Sequence, residues 1–174
     1  QYLRALWYGQ ELTTDEAVWQ YFDTNIYAMH DMNWGPESIH IKSLYARLFY
    51  QISLANELIR RIGDSTESDL VAYKAEARFL RALAYWHAMD LFANVPFVTE
   101  NDPIGAFLPP QIQRADLFDY VESELLAIEN EIVPARQNEY GRADQGAVWM
   151  ILAKIYLNAE VYTTTPRYSD VITY

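Results

Sequence analysis

The side chains in this sequence that could catalyse a reaction or bind a ligand are clustered carboxylates, scattered histidines and an excess of aromatic rings. Two carboxylates that face each other across a cleft can hydrolyse a glycosidic bond. The spacing here instead places four glutamates on one amphipathic helix, where they are most simply its solvated face: Glu122, Glu124, Glu129 and Glu131. The histidines lie far apart and lack the spacing of a metal site: His30, His40 and His87. The sequence therefore predicts neither a hydrolytic site nor a metal site.

The aromatic content points to a different chemistry. Five Trp, fourteen Tyr and seven Phe make up 15% of the chain, which is more than a small helical core needs. A flat apolar ring packs between helices, and it also stacks on the apolar face of a sugar whose edge is bound by polar groups. Trp34 lies in the turn Asn33-Trp34-Gly35-Pro36, away from any helical stripe, where a ring is hard to bury. It is equally consistent with a sugar-stacking ring and with a loop residue that fills a gap in the core.

Composition narrows the class of partner. The formal net charge is −11, so the phosphate backbone of a nucleic acid would be repelled and a neutral or cationic ligand is favoured. The sequence contains no cysteine, which excludes disulfides, thiolate zinc sites and cysteine nucleophiles within it. It has no run of about eighteen apolar residues, so no segment of it is predicted to span a bilayer.

Helical periodicity defines the elements that must position these side chains. Apolar residues at three- and four-residue steps predict helices over Ser38–Ile62, Ser68–Phe92 and Ala115–Ile132. A fourth helix begins at Asp144, a plausible N-cap, and Pro166 marks the entry to a fifth. Long helices joined in pairs by loops predict an all-α fold of degenerate tetratricopeptide-like helix pairs.

The remaining segments are less regular. Residues 1–37 are rich in aromatics but weakly periodic, and they predict a long, ordered, aromatic loop region of the kind that often carries function. Residues 95–98 predict a short extended piece. The first residues read as mid-chain and the last as the opening of another helix, so we expect the sequence to be cut at both ends.

The helix over residues 68–92 is predicted to be the most buried, because its second half is apolar nearly all round. Trp86 and His87 are therefore interpreted as core residues. Glu76, Arg78 and Arg81 form a charged cluster on the same helix, and we favour a structural ion pair that bridges two helices over a functional role.

Five blocks of the sequence can be compared with a known signature. Residues 75–82 read Ala-Glu-Ala-Arg-Phe-Leu-Arg-Ala, and residues 91–96 read Leu-Phe-Ala-Asn-Val-Pro. Thr-Thr-Asp-Glu-Ala precedes them at 13–17, and Ile-Ser-Leu-Ala-Asn lies at 52–56. Gly-Arg-Ala at 141–143 is followed by Leu-Ala-Lys-Ile-Tyr-Leu-Asn-Ala at 152–159. Taken in chain order, the blocks resemble the SusD/RagB family of Bacteroidetes surface lipoproteins. Ala93 stands where the family usually has glycine, a departure that concerns the end of a helix and not ligand chemistry.

The resemblance implies a noncatalytic protein that binds glycan, or in some members peptide, and has no cofactor. It implies a lid on a TonB-dependent, SusC-like transporter, with a tether to the outer membrane at the cell surface through a lipidated N-terminal cysteine outside this sequence. Family members are roughly three times longer, so residues 1–174 are interpreted as the N-terminal helical region. In the family, helix pairs form the scaffold while loops build the ligand face.

The resemblance also directs attention to the aromatic segment, because family members often place a ligand-stacking ring there. Trp34 is the main candidate, and for Trp19 and Tyr21 core packing is favoured over ligand binding. Polar candidates in the same region are turn residues first and ligand contacts second: Asp15, Asp31 and Asn33. The alternative function is a helical-repeat module that binds another protein and no glycan, and an enzyme ranks last.

Overall fold

The computed structural model describes residues 2–174, which divide into one unit up to Tyr50 and a second from Gln51 to Tyr174. The described residues are mostly helical, which confirms the all-α fold. The helices are α1 (Tyr2–Glu11), α2 (Thr24–His30), α3 (Ile39–Ile62), α4 (Ser68–Phe92), α5 (Arg114–Ile128), α6 (Gln145–Leu157), α7 (Ala159–Thr163) and α8 (Tyr168–Thr173). Two short strands, β1 (Val95–Pro96) and β2 (Gln111–Ile112), pair in antiparallel register with Val95 opposite Ile112.

Helices α3 and α4 follow their predicted bounds closely, whereas α5 ends at Ile128, four residues before the predicted end at Ile132. Gly63 ends α3 with a φ of 55°, in the left-handed conformation that glycine adopts readily, and its N–H donates to the carbonyl of Ile59 at 3.0 Å. Asp144 caps α6, since its carboxylate accepts the N–H of Ala147 at 3.1 Å. Ala93 ends α4 with a φ of 58°, which is why glycine would suit this position.

The prediction of a long loop over residues 1–37 is wrong for two stretches, which form α1 and α2. The second helix has only seven residues, and Ile26 and Met29 are the side chains it buries. So short a helix completes too few turns for its apolar spacing to stand out in the sequence. Residues 12–23 and 31–38 remain largely irregular, as predicted.

The core of the first unit is a small cluster that joins α1 to α2. Tyr8 and Leu12 pack with Ile26 and Met29, and Trp19 lies against them partly buried. The ring of Trp19 meets that of Tyr8 edge to face, with centroids 5.7 Å apart. This contact fixes the otherwise irregular segment between the two helices.

Helix α4 is the centre of the second unit, which confirms the prediction. It packs on α5, which in turn packs on α6 and α7, while α6 packs on α8. Many of the residues that α4 buries are alanines, so the neighbouring helices can approach its backbone closely: Ala75, Ala77, Ala82, Ala84 and Ala88. Tyr85 lies fully buried among them, and its hydroxyl accepts the N–H of Val98 at 2.8 Å.

A buried ionic network crosses this core. Arg81 is only 2% exposed and donates to Asn56 of α3 at 2.7 Å and to Glu124 of α5 at 2.7 Å. It also pairs with Glu100 in the loop after β1. Arg78 binds the same Glu124 carboxylate at 2.9 Å. The predicted ion pair between helices is therefore confirmed, and two arginines of α4 share one glutamate of α5.

The prediction that the glutamates of α5 form a solvated face is wrong for most of them. Glu124 is 13% exposed and Glu122 is 17% exposed, and Glu122 accepts the hydroxyl of Tyr156 at 2.8 Å. Glu129 accepts the indole N–H of Trp149 at 2.8 Å. These donors come from other helices, so the pattern of α5 alone could not reveal them. Glu131 is half exposed and fits the prediction.

The network sets the charge state of its acids. Burial works against ionisation of Glu124, but hydrogen bonds from Arg78 and Arg81 outweigh it and hold the pKa of Glu124 below its ordinary value. Burial likewise opposes ionisation of Glu100, and the bond from Arg81 prevails, so its pKa is also lowered. Both carboxylates therefore remain ionised in the folded state at neutral pH.

Glu124→Gln is expected to lower the free energy of unfolding by about 3–5 kcal/mol, because it removes the negative charge that compensates a buried arginine. Urea denaturation followed by circular dichroism measures this change. Glu131→Gln, three residues beyond the end of α5, is the matched control. Its half-exposed pair with Arg78 should contribute about 1 kcal/mol or less. Equal losses in the two variants would contradict a special role for the buried pair.

The network also predicts acid sensitivity. A carboxylate whose pKa is lowered on folding stabilises the protein above its unfolded pKa, near 4.3–4.5, and that contribution is lost as pH falls through the folded value. The free energy of unfolding should therefore drop below about pH 4.5. In urea titrations between pH 3 and 7, Glu124→Gln should show a shallower acid slope than the unaltered protein. An unchanged slope would assign the acid sensitivity to other groups.

Candidate functional site

The first unit exposes several aromatic rings. Tyr21 is 72% exposed, Phe22 85%, Tyr27 36% and Trp34 40%. These four residues are referred to below as the aromatic set. Phe22 and Tyr27 meet edge to face with centroids 6.1 Å apart, and Tyr21 meets the partly buried Trp19 at 5.8 Å. Exposed apolar rings in one short segment are a recognised mark of a binding surface.

Helix α2 positions two of these rings. The carboxylate of Asp23 caps the helix by accepting the N–H of Asn25 at 3.0 Å. Ile26 and Met29 anchor one face in the core, which leaves Tyr27 on the outer face. Phe22 directly precedes the cap, so the start of the helix and its outer face present these two rings together.

The end of α2 presents Trp34. The N–H of Asn33 donates to the carbonyl of Ala28 at 2.8 Å, and the N–H of Met32 donates to that of Met29 at 3.1 Å. This pair of bonds is a Schellman motif, which ends a helix with a residue in the left-handed conformation. That residue is Met32, with a φ of 54°. The chain leaves the helix sharply there, and Trp34 follows two residues later with much of its ring in solvent.

The other predicted site residues divide between core and surface. Trp19 packs on the core cluster of the first unit, in keeping with its packing interpretation, and its indole N–H is buried without a hydrogen-bond partner. Asp15 is exposed in the turn after α1. Asp31 and Asn33 are exposed at the end of α2, where their backbone N–H groups complete the helix terminus.

Phe22 and Tyr27 were missed by sequence reasoning. Each lies in the aromatic segment, but nothing in the residue types separates an exposed ring from a packed one. The signal that could have found Tyr27 is its position next to Ile26 on a capped helix, since the buried pair Ile26 and Met29 fixes which face points outward.

Each unit also contains a cleft. In the first, about 240 Å³ is lined by Arg4, Tyr8, Asp23 and His40 among others. In the second, about 260 Å³ lies between α3 and the loop after β1, lined on the α3 side by Asn56 and others. Within residues 2–174, no group of three or more His, Asp or Glu side chains is arranged to hold a metal ion.

A more apolar groove of about 380 Å³ lies between α3 and α4, with half-exposed Leu54, Leu58, Tyr73 and Leu80 in its lining.

Elsewhere on α4, burial lowers the pKa of His87 to about 4, so its imidazole is neutral at physiological pH. This histidine is therefore suited to packing and not to proton transfer near neutrality. No helix in residues 2–174 combines the length and apolarity that crossing a bilayer requires.

Comparison with known proteins places this fold. A SusD-like family described as "Starch-binding associating with outer membrane" matches residues 4–157. The starch-binding protein SusD of Bacteroides thetaiotaomicron is 34% identical over 99% of this chain and 31% of its own length. The chain thus spans less than a third of the length of the curated relatives it matches.

Solved structures share the same architecture. A SusD superfamily protein from Parabacteroides distasonis superimposes with a TM-score of 0.77 at 24% identity, over 90% of this chain and 34% of that one. Surface glycan-binding protein A from Bacteroides uniformis gives a TM-score of 0.66 at 24% identity, over 79% of this chain and 32% of that one. From the family match and the fold together, the chain belongs to the SusD-like family, whose description is starch-binding and associating with the outer membrane.

Proposed function

We propose that this chain contributes to noncatalytic glycan binding at the outer-membrane surface, through the exposed rings of the aromatic set. The observation that carries the proposal is the partial exposure of Trp34, 40%, directly after the Schellman turn that ends α2. Relatives named as starch-binding and glycan-binding proteins support a saccharide as the ligand. Asp15, Asp31 and Asn33 are the polar groups proposed to bind hydroxyls at the edge of the stacked sugar, and Trp19 supports Tyr21 from beneath.

Stacking gives modest affinity per ring. An aromatic side chain offers about 150–250 Å² of surface, and a sugar covers only part of one face. Burial of about 60–80 Å² at about 25 cal/mol per Å² stabilises the complex by about 2 kcal/mol. Several rings along one segment therefore suit a polysaccharide, since successive sugars can engage successive rings and the contributions combine.

The carboxylates of the second unit do not support an enzymatic alternative. A glycosidase needs one acid with a raised pKa that can protonate the leaving group. The pKa values of Glu100 and Glu124 are instead lowered, and both side chains bind Arg81. Such carboxylates are suited to holding a fold together, so binding without turnover is the function we propose.

We further propose that the protein works with a SusC-like TonB-dependent transporter to which it delivers the glycan. A lipidated N-terminal cysteine, outside residues 1–174, would tether it to the membrane. The family description, which includes association with the outer membrane, supports this location.

A second candidate is a helical-repeat module that binds a protein and no glycan. The apolar groove between α3 and α4 favours it, because Leu54, Leu58 and Leu80 expose about half of their surface there. Glycan binding by the full chain distinguishes the two functions.

Trp34→Ala is expected to weaken binding of amylopectin about tenfold or more, because loss of one stacked ring removes about 2 kcal/mol. Native gels that contain the polysaccharide, followed by calorimetry, measure the change. The control is Tyr140→Ala, which removes a fully exposed ring from the second unit and should leave the affinity unaltered. Equal retardation of the Trp34→Ala and unaltered proteins would remove Trp34 from the site. If no glycan from a broad panel retards the unaltered protein, the protein-binding alternative is favoured.

Partnership with a transporter has a separate test. Affinity capture of the full chain from outer-membrane extracts should recover a SusC-like protein. Trp34→Ala should recover the same amount, because the sugar-stacking ring is not needed for association. Capture that requires added glycan, or that fails with Trp34→Ala, would contradict a preformed complex.

A further inference from the structure

The aromatic set lies in an acidic segment of the chain that has no basic Lys or Arg side chain. Residues 12–37 contain no Lys or Arg and five carboxylates: Asp15, Glu16, Asp23, Asp31 and Glu37. All of these except Asp23 are exposed. The rings proposed to bind sugar therefore emerge from a segment whose side-chain charges, His30 apart, are all negative at neutral pH.

Chain geometry brings some of these charges close to the rings. Asp31 and Glu37 each lie three residues from Trp34, so their Cα atoms are at most about 11 Å from its Cα. The Debye length is about 10 Å at 0.1 M salt, so an exposed carboxylate at this distance still acts on a ligand over the ring. Asp23 adjoins Phe22 directly.

An ion pair and the N-terminus of a helix offset two of the five carboxylates. Glu37 pairs with Lys42. Asp23 accepts backbone N–H groups at the start of α2 and lines a cleft with Arg4. The ion pairs seen in residues 2–174 include none to the three other carboxylates: Asp15, Glu16 and Asp31.

We infer that this surface discriminates by charge, so that it accepts neutral glycans and rejects polysaccharides that carry carboxylate or sulfate groups. The inference rests on the proposed function and adds a substrate class to it. Two like charges 10 Å apart in water change a dissociation constant about twofold. Three uncompensated carboxylates acting on a chain that carries repeated charges should weaken binding about tenfold at low salt.

The test compares one polysaccharide in three charge states: native, carboxymethylated and cationised amylopectin. Isothermal titration calorimetry of the full chain at 20 mM and 500 mM NaCl gives the dissociation constants. At 20 mM the carboxymethylated form should bind about tenfold more weakly than the native form, and the cationised form at least as tightly. At 500 mM the difference should fall to about twofold or less, because screening shortens the range of the carboxylates.

Variants locate the effect. The readout is the ratio of the dissociation constants of the carboxymethylated and native forms, so it does not depend on the affinity for the neutral glycan. Asp15→Asn, Glu16→Gln and Asp31→Asn combined should bring this ratio to about twofold or less at 20 mM NaCl. The control removes the same number of exposed carboxylates from the second unit: Asp64→Asn, Glu67→Gln and Asp69→Asn. The control should keep the ratio near tenfold.

Four outcomes overturn the inference. Equal binding of the native and carboxymethylated forms at low salt does so while the proposed glycan-binding function stands. A ratio that falls equally in both triple variants assigns the effect to net charge, and one that persists in both assigns it to the modification itself. If none of the three polysaccharides binds, the proposed function fails and the inference fails with it.

Discussion

The second unit depends on the compensation of one buried charge. Arg81 lies at the centre of α4 and is almost fully buried, so its guanidinium must find partners within the protein. It does so on three different segments, through Asn56, Glu100 and Glu124. Helix α3, the loop after β1 and helix α5 are thereby positioned from a single side chain. Hydrogen bonding in this network is incomplete, since Nε of Arg81 and the hydroxyl of Tyr120 are buried without hydrogen-bond partners. The guanidinium carbon of Arg81 lies 5.8 Å from the centre of the Tyr120 ring.

Which parts of this fold could be predicted depended on the range of the interactions that build them. Helices α3 and α4 run for more than six turns, so their apolar stripes and end residues, such as Gly63, were visible in the sequence. Helix α2 was not, because seven residues leave only Ile26 and Met29 as a stripe. The role of Glu124 was also hidden, since both its partners lie on another helix. At the candidate site, the turn residues around Trp34 left a stacking ring and a gap-filling ring equally open, whereas Phe22 and Tyr27 required the direction of α2.

Carboxylates serve in two different ways in this chain. In the second unit, Glu122 and Glu124 are drawn inward and bound by arginines, so their charge serves to hold helices together. In the first unit, Asp15 and Asp31 remain exposed to solvent. The same residue type thus contributes to cohesion where donors surround it, and to the electrostatic field of a surface where they do not. Net charge alone, −11 for the whole chain, would not distinguish these roles.

Helices α2 and α4 are each followed by a residue other than glycine that has a positive φ. Ala93 ends α4 at 58°, and Met32 follows α2 at 54°. A positive φ in a residue with a side chain costs about 1–3 kcal/mol, so each turn is retained only because its surroundings fix it. After α4 the fixing contacts are the short β1–β2 pairing and the bond from Val98 to the buried Tyr85. After α2 they include two backbone bonds, at 2.8 Å and 3.1 Å. The turn before Trp34 is therefore closed by its own backbone bonds, while the segment after α4 is also bonded to Tyr85 in the core.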